Sequence, residues 1–78
     1  MTNLEKYNNA FIESFGIVIS QLDVLEYQSI AEWDSIGHMS LIATLEEAFG
    51  IMMDTDDIID FSSFEKGKEI LRKYDVEL

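Results

Sequence analysis

Leu4, Tyr7, Phe11, Phe15, Val18 and Leu22 recur at intervals of three or four residues, with Glu5, Asn9 and Glu13 between them. That spacing gathers the apolar set on one stripe of an α-helix and leaves the polar set on its other side. It predicts a first helix from about Asn3 to about Ser20, with Gly16 inside it at a cost of roughly 1 kcal/mol against alanine, tolerated for close packing. A helix with one apolar stripe must bury it against another element, and nothing later in the chain alternates as a strand would. The expected fold class is all-α.

The remaining elements follow from the same period. Leu41, Ile42, Leu45 and Phe49 predict a second helix from about Ser35 to Phe49, ended by Gly50. Asp54 is placed to cap a short third helix that opens with Asp56 and Asp57 and buries Ile58, Ile59 and Phe61. Ser62 with Glu65 reads as a capping box for a last helix carrying Phe64, Ile70, Leu71 and Tyr74. Between Gln21 and Asp34 neither period is sustained, yet Leu22, Val24, Leu25, Tyr27, Ile30 and Trp33 are too apolar for a solvated linker. Long loops inside small domains are uncommon and often functional; this one is expected to be an ordered crossing loop with a short helical turn. The architecture expected for residues 1–78 is one small four-helix bundle with a long first loop and a short third helix.

At 78 residues the chain has room for one modest core, which argues against an enzyme with a deep pocket. Its 16 acids against 5 Lys and Arg, a net charge of -11, argue against nucleic acid and for basic partner surfaces. Lys66, Lys68, Arg72 and Lys73 all fall on the last helical segment, with Lys6 alone near the start. The absence of cysteine excludes disulfides, thiolate metal sites and a protein thiol nucleophile, so any sulfur chemistry has to come from a cofactor. The apolar run Ile17, Val18, Ile19 is too short to span a bilayer, and no basic segment leads an apolar one at the start. A cytoplasmic, marginally stable monomer with no membrane span is the expectation.

Asp34, Ser35 and Ile36 open the second helix, which closes on Leu45, Glu46, Glu47, Ala48, Phe49, Gly50, Ile51. In these residues the chain resembles the acyl carrier proteins, over the half running from the second helix to the last. The resemblance implies a four-helix bundle that receives 4′-phosphopantetheine from coenzyme A on Ser35, through a separate phosphopantetheinyl transferase that supplies metal and base. The helix start suits the product, because free backbone amides and the positive end of the dipole favour a phosphodiester. The arm provides the thiol on which an acyl or aminoacyl group is held as a thioester. Catalysis then belongs to loading and transfer enzymes with basic docking surfaces, and not to this chain.

Each residue of the motif also has a plainer reading. Ser35 could simply cap the helix, and Asp34 is either an alternative cap or part of what the transferase reads. His38 is expected either to face solvent or to lie close enough to Ser35 to touch its phosphate. A Ser35, Asp34, His38 triad is rejected, because a helix start in so small a domain offers no oriented base or substrate pocket. Asp54, Thr55, Asp56 and Asp57 do not form an EF-hand loop, since its fifth and sixth places are Ile58 and Ile59; no metal site is expected.

Ile36, Met39, Ala43 and Glu47 fall on a stripe distinct from the core stripe of Leu41, Leu45 and Phe49. It belongs either to a widely buried central helix or, as the resemblance implies, to the surface that partner enzymes recognise. In the second case Glu46, Glu47, Asp56 and Asp57 pair with basic patches on the partner. The carriers of fatty-acid synthesis place acids where this chain has Gly37 and Ser40, a departure that points to a specialised pathway over a housekeeping one. On this reading, Gly37→Asp with Ser40→Glu should improve loading by a fatty-acid enzyme. A small acidic helical adaptor without cofactor is the alternative from another class.

Overall fold

The first helix, α1, spans Asn3–Phe15 and is fixed at both ends by local chemistry. Thr2 Oγ1 accepts the Glu5 N–H at 3.1 Å while the Glu5 carboxylate accepts the Thr2 N–H at 2.9 Å, a reciprocal capping box. The Thr2 backbone N–H first, and the Thr2 hydroxyl second, hold the Glu5 carboxyl below its usual range. At the other end Gly16 takes φ 64°, a left-handed conformation that glycine adopts without a Cβ penalty, and donates its N–H to Ile12 O. The helix therefore stops at Phe15, five residues before the expected Ser20, and Gly16 ends it where an interior position was expected.

The structure, a computed structural model, describes all 78 residues. After α1 come a 3₁₀ turn at Ile19–Val24 and the helices α2 (Ser35–Phe49), α3 (Thr55–Asp60) and α4 (Phe64–Arg72). The fold is all-α, with one isolated antiparallel bridge between Glu26 and Ser63. That bridge ties the crossing loop to the start of α4: Tyr27 N–H donates to Ser62 O and Phe64 N–H to Leu25 O, each at 2.9 Å. Ser62 is committed through its backbone, and the cap of α4 is its neighbour Ser63, whose Oγ accepts the Lys66 N–H at 2.9 Å. Asp54 precedes α3 but contributes no side-chain cap; its backbone N–H instead donates to the Tyr74 hydroxyl at 2.9 Å. No helix is long and apolar enough to cross a membrane.

Phe11 sits at the centre of the core, its ring 5.0 to 6.2 Å from those of Tyr7, Phe15, Trp33, Phe61 and Phe64. Aromatic pairs at such distances stabilise beyond the area they bury. Leu41, Leu45 and Leu71 close the cluster from α2 and α4. α4 approaches closely at Gly67, where a Cβ would lie 2.2 Å from both Phe61 Cζ and the Tyr7 hydroxyl. That hydroxyl donates to Phe64 O at 2.7 Å, and burial pushes its pKa far up, so it stays a donor. The 3₁₀ turn explains the misread end of α1: Leu22 is buried from the turn, whereas Val18 points outward with 60% of its surface exposed.

Candidate functional site

Ser35 is the first residue of α2 and is exposed. The cap is its predecessor: Asp34 lies in extended backbone, and its Oδ1 accepts the Gly37 N–H at 2.8 Å. The Ser35 hydroxyl is thereby released from the capping role that a serine at a helix start would otherwise fill. The amides of Ser35 and Ile36 precede the first intrahelical bond and face outward from the positive end of the helix dipole. A nucleophilic hydroxyl and an anion-favouring terminus thus share one turn.

Behind that turn the chain is anchored by Trp33, which has no exposed surface. Its Nε1–H donates to His38 Nδ1 at 2.9 Å. Indole can only donate, so Nδ1 is an acceptor, and the ring hydrogen sits on Nε2, which donates to Ile58 O at 2.8 Å. His38 is therefore half-buried with both nitrogens committed. Its ring is only partly exposed, and it has no free nitrogen to offer a phosphate on Ser35, which corrects that expectation. Trp33 packs the loop against α2 through its bond to His38 and by stacking on that ring.

Gly37 belongs to the same turn for steric reasons. A Cβ there would lie 2.0 Å from the carbonyl oxygen of Glu32 and 3.3 Å from Phe15 Cε1. An aspartate at this position would collide with backbone, so the double change with Ser40→Glu does not graft acids onto an unaltered surface. The glycine is required by the close passage of the loop over α2.

Between α2, α3 and the residues before α4 lies an open groove of ≈ 360 Å³, lined by Ser35 together with Tyr27, Met39, Ile58, Ile59 and Phe61. Its walls are mainly apolar and the serine is at hand. On the outer face of α2, Ile36 is 81% and Met39 54% exposed, and Ala43 and Glu47 are exposed as well. The stripe faces outward, so α2 is not buried all round.

The acids divide. Glu47 and Asp56 stand exposed. Glu46 is half-buried, and its Oε2 accepts the Met53 N–H at 2.9 Å, which secures the turn after Gly50. Asp57 is buried, bonded to Lys73 Nζ and the Tyr74 hydroxyl, which corrects its place among the outward acids. The Lys73 bond first, and the Tyr74 bond second, hold the Asp57 carboxyl below its usual range, and the same contacts raise Lys73 and Tyr74.

The Trp33, His38 and Ile58 chain and the Asp57, Lys73 and Tyr74 clasp escape sequence reasoning, because their members meet only once the helices are placed. Comparison with known protein families, with curated proteins and with solved structures finds no match.

Proposed function

We propose that this chain is a carrier protein holding an acyl or aminoacyl group as a thioester on a 4′-phosphopantetheine arm attached to Ser35. The observation that carries the reading is the exposed Ser35 hydroxyl at the start of α2, relieved of capping by Asp34. A transferase would join that oxygen to the pantetheine phosphate of coenzyme A and release the nucleotide half. The free amides of the first turn suit the resulting phosphodiester, and the apolar groove beside Ser35 suits what an arm brings. A chain without cysteine needs such an arm to present a thiol.

On this reading α1 to α4 form a cytoplasmic, monomeric four-helix bundle whose long first loop is pinned by Trp33, and catalysis lies with its partners. Ile36, Met39 and Ala43, with Glu47 and Asp56 exposed nearby and Glu46 partly so, offer those partners an apolar strip with acids for basic patches. The acid-free first half of α2, with Gly37 and Ser40, favours a specialised pathway over fatty-acid synthesis. A cofactor-free adaptor would use the same exposed strip, and that is the second reading. Intact mass measurement of the protein from its own cells separates them: the carrier carries a phosphopantetheine with or without cargo, and an unmodified chain in every preparation favours the adaptor.

A further inference from the structure

α3 has six residues, too few to hold a helix by its own bonds, and it exposes Asp56, Ile59 and Asp60. Its last carbonyls have no partner further along the helix. One of them, Ile58 O, receives the His38 Nε2–H at 2.8 Å from the first turns of α2. The ring cannot turn over without losing its other bond, because Trp33 Nε1–H donates to Nδ1 at 2.9 Å. Trp33 is itself fixed in the core, stacked on Phe15 at an interplanar angle of 26° and on His38 at 15°. A line of two hydrogen bonds thus runs from the core, through α2 three residues past Ser35, to the C-terminal half of α3. Nearer its start α3 is held by the Asp57 contacts with Lys73 and Tyr74 of the α4 end.

We propose that His38 is a positioning residue that tethers α3 to the start of α2 and so fixes the wall of the groove beside Ser35. Ile58 and Ile59, which line the groove, belong to the tethered helix. Without the tether α3 stays attached through Asp57 and swings away from α2 at its other end. What the groove receives rests on the carrier reading, whereas the tether does not.

Two neutral substitutions divide the two bonds of the ring. In His38→Gln the amide N–H reaches toward the place of Nε2 and keeps a donor for Ile58 O; in His38→Asn the amide oxygen stands near Nδ1 and keeps an acceptor for Trp33. Amide hydrogen exchange of the unmodified chain, read by NMR at Ile58, Ile59 and Asp60 against Leu45 and Leu71, reports the tether. His38→Ala and His38→Asn are expected to exchange about three- to tenfold faster in α3, the effect of one lost hydrogen bond, with smaller changes at Leu45 and Leu71. His38→Gln is expected to restore α3, while the emission of Trp33, the only tryptophan, shifts in Ala and Gln and is kept in Asn. Unchanged α3 exchange in His38→Ala, equal acceleration of all helices, indistinguishable Asn and Gln variants, or failure of all three to fold would each overturn the proposal. A chain that shows the expected pattern yet takes no arm at Ser35 would lose the carrier reading and keep the tether.

Discussion

Gly37→Ala puts the packing of the crossing loop to a direct test. Helix propensity alone favours the change by about 1 kcal/mol. Against it stands the new Cβ, 2.0 Å from the Glu32 carbonyl oxygen and 3.1 Å from its carbon. That oxygen is backbone, and the next residue is the fully buried Trp33, so the loop cannot yield by rotating one side chain. Overpacking costs about 1–3 kcal/mol, and contact with fixed backbone belongs at the upper end. The net expectation is a loss of about 2 kcal/mol, or roughly 8–16 °C in Tm at about 4–8 °C per kcal/mol for a domain of this size. Thermal unfolding followed by far-UV circular dichroism measures it, with Ser40→Ala, an exposed α2 position, expected within about 0.5 kcal/mol of the parent. A Gly37→Ala protein that melts at or above the parent would instead mean that the loop over α2 is free to move.

Other substitutions separate folding from surface roles. Leu45→Ala, at a site with no exposed surface, should cost about 2–5 kcal/mol in denaturant unfolding, whereas Met39→Ala, at 54% exposure, should stay within about 0.5 kcal/mol. A large loss at Met39 would mean that the outer stripe of α2 serves the fold. Asp57 is depressed in the folded chain, so its contribution is present above the ordinary carboxylate value of about 3.9 and drains as pH falls through the folded value. The Tm gap between parent and Asp57→Asn should be widest near neutrality and narrow below about pH 4; a gap independent of pH would contradict the clasp.

What the sequence made legible was what local chemistry controls. The bounds of α2 follow from its period and from Gly50, which takes φ 63° and ends it as expected. Trp33 is among the loop side chains too apolar for a solvated linker, and it is fully buried. The end of α1 was not, since Val18 and Leu22 continue the helical period across the break at Gly16. Period records which residues are apolar and not where the backbone turns. Ser62 and Ser63 are equally good caps by type, and the choice is made by a bridge to Glu26 far away in sequence. His38 and Asp57 were misplaced for the same reason: their partners Ile58, Lys73 and Tyr74 lie sixteen to twenty residues distant. The place of Ser35 at the start of α2 was legible, but its release from capping needed the observed Asp34 bond.

Attachment of a phosphopantetheine arm to Ser35 can be read from the mass of the intact protein. The apo chain and Ser35→Ala are each incubated with coenzyme A, magnesium and a broad-specificity phosphopantetheinyl transferase, and their intact masses are recorded. The parent is expected to gain the mass of one phosphopantetheine, and Ser35→Ala, equally folded by circular dichroism, to gain none. A folded parent that gains nothing, or an alanine variant that gains as much, would contradict attachment at Ser35.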